Sequence, residues 1–199
     1  MLAQETNRVA RALYQNAPIL SVPSFRAWLQ SRPDEEHWEL IDGVPAMMTP
    51  PNRRHQRIAS NLEALLNQGL KRKNPKLTAY HDIGVNIVST VPYDPEPDMA
   101  VIREQENPDP RYADRFYLVA EVLSESDKAI IESKREIYRA HSSCICILLI
   151  HQDRMEIVVD RRGEEGWRSE VLHGTDVLSL TEFGLNCPVS AVYTDTGLM

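Results

Sequence analysis

The sequence predicts an α/β (α+β) domain, a mixed sheet flanked by helices with extra hairpins toward both termini. Three observations predict it. Ile58, Leu62, Leu65, Leu66 and Leu70 recur at spacings of three and four and form one apolar stripe on a helix over 53–73. Strand-length apolar runs lie at 77–88, 98–102, 116–123 and 144–150, with a second helical stretch at 128–141 between the last two. Asp42-Gly43 and the Gly163–Gly166 segment supply turn chemistry between alternating runs. A sheet covered by a helix on each side is the simplest layered solution for this order.

Composition sets the bounds. The chain has 199 residues, 42% apolar and 26% charged, with a net charge of −7. Those proportions exclude a disordered chain or a fibrous repeat, and the length suits one domain with a core of its own. The acidic balance argues against a protein that coats nucleic acid by bulk charge, although an acidic body can carry a local basic face. No apolar run is long enough to span a membrane, and the polar first ten residues do not read as a secretory leader. The cysteines, Cys144, Cys146 and Cys187, are odd in number, and two sit one residue apart in an apolar run. Buried, reduced thiols in a cytoplasmic protein are expected, with Cys144 and Cys146 on opposite faces of a strand.

Residues 1–20 lack clear periodicity and are expected to form a loosely ordered arm, leaving 21–199 as a single domain. Ser21 and Ser24 can cap a short helix through Phe25, Trp28 and Leu29 that stops before Pro33. Asp42-Gly43 closes a hairpin within 38–48, and Thr49-Pro50-Pro51-Asn52 breaks the chain before the long helix. After the strands, 155–161 and 167–172 read as a further hairpin.

Three charges sit where apolar side chains should be. Glu121 shares a strand face with Val119 and Leu123. Asp98 shares one with Ala100 and Ile102. Lys134 stands midway between Ile130 and Tyr138 on the stripe that should face the sheet. A buried carboxylate or ammonium is costly unless paired or bound to metal. A structural ion pair, or a lysine snorkelling from the helix edge, would account for any one of them. Together, two carboxylates on adjacent strands plus a lysine match a divalent-cation hydrolase. Hard oxygens hold Mg²⁺ or Mn²⁺, and the lysine orients water or steadies developing charge. Glu39, alternating with Ile41, is a further acid that either faces inward or lies solvated on the hairpin.

Arg53, Arg54 and Arg57 cluster at the start of the long helix, and Lys71, Arg72, Lys73 and Lys76 near its end. Arg53 and Arg54 are the better placed to meet a nucleic-acid backbone, because a helix N-terminus also favours phosphate. His55, in the first turn, is a candidate for phosphate contact or for the site, with a surface or capping role as the alternative.

In sequence order, Trp38-Glu39-Leu40-Ile41-Asp42-Gly43, Pro50-Pro51-Asn52-Arg53-Arg54-His55-Gln56, Pro97-Asp98-Met99-Ala100-Val101 and Val119-Ala120-Glu121-Val122-Leu123-Ser124 resemble the Uma-two family of endonucleases in the PD-(D/E)XK superfamily. The resemblance runs from about Ser24 to Tyr193. It implies a restriction-endonuclease-like sheet and a Mg²⁺ or Mn²⁺ site with Asp98 and Glu121 as ligands. It also implies Lys134 as the catalytic lysine, Glu39 as a further catalytic acid and DNA as the partner. The superfamily lysine usually lies two residues after the strand acid, where this chain has Leu123; the family carries it on the following helix. A Tyr-Asp pair often precedes that lysine, and here the positions hold Ala129-Ile130. Two functions follow from different classes: a Mg²⁺- or Mn²⁺-dependent DNA endonuclease, compatible with a homodimer that cuts both strands, and a decayed nuclease fold that binds nucleic acid or protein without turnover.

Overall fold

The computed structural model describes residues 19–124 and 130–198. Most of the expected N-terminal arm, residues 1–18, and the start of the second expected helix, Lys128 and Ala129, lie outside these.

The central sheet has six strands: β3 (Thr78–Tyr80), β5 (Met99–Ile102), β7 (Phe116–Leu123), β8 (Cys146–His151), β9 (Glu156–Gly163) and β10 (Gly166–His173). They lie in the order β10-β9-β8-β7-β5-β3. Only the β7–β8 pairing is parallel; the other four are antiparallel. A parallel neighbour needs a crossover, and helix α3 (Ile131–Ala140) lies on that connection.

Each face of the sheet carries one main helix. Helix α2 (Arg53–Lys73) lays Ile58, Leu62, Leu66 and Leu70 on Met99, Val101, Leu118, Ala120 and Val122. Helix α3 lays Ile131, Ile137 and Tyr138 on Ala100, Val119, Ile147 and Leu149. Period-two alternation along β7 therefore sends Leu118, Ala120 and Val122 to α2, and Val119 and Leu123 to α3. Cys144 and Cys146 are buried on opposite sides of the sheet as expected, whereas Cys187 is only half-buried.

The helix expected at 53–73 and the strand at 116–123 have those boundaries, and the Asp42-Gly43 hairpin is β1 (Trp38–Ile41) with β2 (Val44–Met47). Asp42 and Gly43 both adopt positive φ, 53° and 76°, as the tight turn requires. The hairpin forms its own two-stranded sheet and is stitched to the loop before β5. Gly43 N donates to Pro92 O at 2.8 Å, and Leu40 and Asp94 exchange backbone bonds at 3.2 and 2.9 Å.

The strand expected at 77–88 is not continuous. Asp82 takes φ 45°, the chain turns, and β4 (Gly84–Val85) leaves the main sheet to pair in parallel with β6 (Tyr112–Ala113). The hairpin expected near the C-terminus is β9–β10, and it continues the central sheet. A second small hairpin follows, β11 (Val177–Leu180) with β12 (Leu185–Pro188). Its turn meets α2 closely, for a Cβ on Gly69 would lie 2.7 Å from Gly184 O.

Two ionic clamps fix the parts that build the cleft. Helix α1 (Val22–Leu29), capped by Ser21, sends Arg26 to both oxygens of Asp94 at 2.9 and 2.6 Å and over the ring of Tyr112. This pins the loop that leads into Asp98. On the other side, the fully buried Asp160 of β9 accepts two bonds from Arg135 of α3 at 2.6 and 2.7 Å and one from Ser169 at 2.6 Å, with Arg139 at 2.9 Å. Burial alone would raise the Asp160 carboxyl, but the bonds from Arg135 and Ser169 and the arginine charges outweigh it and hold it below the usual range. A depressed carboxylate contributes stability above its unfolded pKa and loses it as pH falls through the folded one. Asp160→Ala is therefore expected to lower unfolding free energy by about 2–3 kcal/mol near neutrality. Its deficit should shrink toward acid pH, as read by thermal melts across pH.

No helix of the described residues is long and apolar enough to cross a membrane.

Candidate active site

The sheet register brings the two strand acids together. Met99 pairs with Ala120 in antiparallel sense, so Asp98, one residue earlier, stands beside Glu121. Val122 N donates to Asp98 Oδ2 at 2.6 Å. Helix α3 then lays Lys134 over Glu121, with Nζ 2.8 Å from Oε1. The hairpin delivers Glu39 from the other side, with Nζ 2.9 Å from Oε1 and 3.2 Å from Oε2. Lys134, Glu39 and Glu121 are all buried, the lysine to 3% exposure.

The lysine therefore pairs with Glu121 and Glu39, rather than with Asp98. The inward-facing alternative for Glu39 is the observed one, and its Oε1 also accepts from Glu96 N at 2.7 Å. Asp98 instead meets His55, whose Nε2 lies 3.2 Å from Oδ2. His55 is half-buried and lines the cleft.

Arg53 and Arg54 are exposed at the start of α2. Arg54 reaches the backbone carbonyls of Thr196 and Gln152 at 3.3 and 3.5 Å. The amides of Arg54 and His55 already donate to the Asn52 cap at 2.9 and 3.0 Å. A phosphate at this terminus would have to compete with Asn52 for them.

Electrostatics follow from burial. Desolvation alone would lower the pKa of Lys134, but Glu121 and Glu39 outweigh it and raise it, so the group is a cation throughout neutral pH. Desolvation raises Glu121, the charges of Asp98 and Glu39 add to the rise, and Lys134 opposes it. Tyr138, four residues after Lys134, donates its hydroxyl to Glu121 Oε1 at 2.7 Å. Burial and the neighbouring acids keep that phenol protonated.

Glu39, His55, Asp98, Glu121 and Lys134 line a cleft of about 500 Å³, together with Pro50, Asn52, Ser124 and Gln152. Sequence reasoning missed two of its acids, Asp82 and Glu96. Glu96 opens to solvent along the cleft, yet partial desolvation and then the charges of Asp82, Glu39 and Asp94 push its carboxyl up to about 7, against the pull of Lys134. A signal was present, since Pro95-Glu96-Pro97 forces an extended acid just before Asp98. Tyr138 was visible on the helical stripe, but it read only as core.

Among the lining residues, Glu39, Asp82, Glu96, Asp98 and Glu121 face one lysine. That surplus of carboxylate, with Asp98 and Glu121 offering hard oxygens side by side, fits Mg²⁺ or Mn²⁺. No cluster of three or more His, Cys, Asp or Glu suited to a metal occurs among the described residues. A cation here would thus take two protein carboxylates and complete its shell with water, as Mg²⁺ commonly does.

A family model described as "Uma2: Putative restriction endonuclease" matches residues 22–190. The chain belongs to the Uma2 family. Among solved structures it is similar to the "Crystal structure of a putative nuclease belonging to DUF820 from Anabaena variabilis ATCC 29413", with a TM-score of 0.69 and 17% identity over 88% of this chain and 98% of that one. At that identity the likeness speaks for the fold, which is nuclease-like. No curated protein matches. The family carries the nuclease-like reading of this Uma2 chain; the roles of single residues rest on the geometry above.

Lys134→Met would strand two buried carboxylates. It is expected to cost about 3 kcal/mol or more at about pH 8. The raised lysine pKa means that the wild-type contribution persists up to strongly alkaline pH. Part of the variant's loss should be recovered as pH falls toward about 5, because burial raises the Glu121 carboxyl and favours its protonated form; melts at the two pH values check this.

Proposed function

We propose that this Uma2 chain is a metal-dependent endonuclease that hydrolyses DNA phosphodiester bonds. The observation that carries the reading is the buried Lys134 ammonium, held between Glu39 and Glu121 beside Asp98 at an open cleft. A lone ion pair would serve stability equally well on the far side of the sheet, away from such a cleft and from further acids.

Asp98 and Glu121 would hold Mg²⁺ or Mn²⁺. Bound there, the ion supplies charge for a phosphate oxygen and lowers the pKa of a coordinated water. Lys134 orients the attacking water or steadies the charge that builds on the phosphoryl oxygens. Glu39 is a positioning residue, since its two oxygens grip the ammonium and its contact with Glu96 N fixes it to the loop before Asp98. Tyr138 orients Glu121 through its hydroxyl. Arg53, exposed at the start of α2, would meet the DNA backbone, and the chain's net charge of −7 leaves such contacts local.

Supercoiled plasmid incubated with Mg²⁺ or Mn²⁺ is expected to be nicked, and chelator should stop it. Asp98→Ala, Glu121→Ala and Lys134→Ala should each reduce the rate by about a hundredfold or more. Calorimetric titration should show Mn²⁺ uptake by the wild type and none by Asp98→Ala. Cleavage by the Lys134 variant at the wild-type rate would remove the catalytic reading. Folded wild type without Mn²⁺ uptake would favour the binding-module alternative.

A further inference from the structure

Strand β10 is the outermost strand of the central sheet; all eight of its residues pair to β9, and among the described residues no strand pairs along its other edge. Helix α3 packs on one face of it through Ser169 and Trp167, and its C-terminal end is met by Asp176, which bonds His173, and by the turn Val189–Ala191, where Ser190 N donates to Gly174 O. An edge this long is a template for another strand, and proteins usually blunt it with proline, a bulge or lysine. Gly166-Trp167-Arg168-Ser169-Glu170-Val171-Leu172-His173 contains neither proline nor lysine, and its register with β9 runs without interruption. Val171 is 52% exposed on it.

The side chains show which strand would fit. Ser169 faces α3 and bonds Asp160, so Trp167 and Val171 share that face. Arg168 and Glu170 lie on the opposite face, both exposed. In an antiparallel pair related by a twofold axis through Ser169, Arg168 stands opposite Glu170 of the other copy, and Glu170 opposite its Arg168. On the other face Trp167 stands opposite Val171, twice. A shift of register by two residues breaks both complementarities. Opposite charges and aromatic–β-branched pairs directly across strands are the favourable ones, and a twofold contact requires a surface that is complementary to itself. Within one chain Arg168 bonds Glu165, and Glu170 bonds Arg161, all at the surface. These contacts can be exchanged at little cost.

From this we infer that β10 is a dimerisation strand: a second copy of this chain adds across it in antiparallel sense, with the axis at Ser169, giving one continuous twelve-stranded sheet. The interface does not depend on the catalytic reading and leaves the cleft residues untouched.

Sedimentation equilibrium over a concentration series tests it. Wild type is expected to dimerise. Arg168→Glu and Glu170→Arg, each alone, set like charges opposite one another and should weaken the dimer about tenfold or more. The double swap Arg168→Glu/Glu170→Arg should restore it. An equimolar mixture of the two single variants should also associate, because one copy then carries two acids and the other two bases. Circular dichroism and melting curves, expected to match wild type, separate lost pairing from lost folding. A monomeric wild type, or single variants that dimerise as wild type does, would overturn the inference. So would failure of both the swap and the mixture to recover.

Discussion

A lysine ammonium with almost no access to water, gripped by two carboxylates from distant parts of the chain, is the constraint around which the rest of the molecule is arranged. Leaving any of the three unpaired in that setting would cost several kcal/mol. Hairpin, sheet and helix α3 must therefore arrive in one relative placement. The hairpin is held by its tight turn and by its exchange of bonds between Leu40 and Asp94. Helix α3 is held by Arg135 and Arg139 on Asp160. The loop before β5 is held by Arg26 on Asp94. Each clamp lies outside the cleft, and each fixes one wall of it.

The balance of charge gives this arrangement its chemical meaning. Replacing a buried ion pair with apolar groups is often neutral for stability, so stability alone is a weak reason to retain one. Here one cation serves two buried acids, with Asp98 and Glu96 close by and carboxyls pushed upward at Glu96 and Glu121. Two carboxyls raised beside an open cleft mark a place where additional positive charge would be welcome. Membership of the Uma2 family agrees with a nuclease-like function for such a site.

Much of this was legible in the chain. The stripe Ile58, Leu62, Leu66, Leu70 needs only the helical period, and β7 needs only its apolar run. Lys134 stood out because it interrupts a stripe, and Glu121 because it interrupts a strand face. What the sequence hid was long-range pairing. Nothing local says that Glu39 rather than Asp98 meets the lysine, because the choice is made by how the hairpin docks on the loop at 92–96. Likewise the break at Asp82 depends on a positive φ that the apolar content of 77–88 conceals, and the two-residue strands β4 and β6 are too short for any periodic signal. His55 was legible as a first-turn histidine, yet its partner, Asp98, comes from the residue just before β5, far along the chain. Ile130, which replaces an expected aspartate, packs against the apolar cluster under α3, while Ala129 lies outside the described residues.

The proposed cation site consists of Asp98 and Glu121, beside a lysine anchored by Glu39. Anomalous diffraction from crystals of the wild type soaked in MnCl₂ tests it most directly. A manganese peak is expected within coordination reach of both carboxylates, with Lys134 still on Glu39. Ordered manganese elsewhere with none at this pair, or Lys134 turned away into solvent, would contradict it.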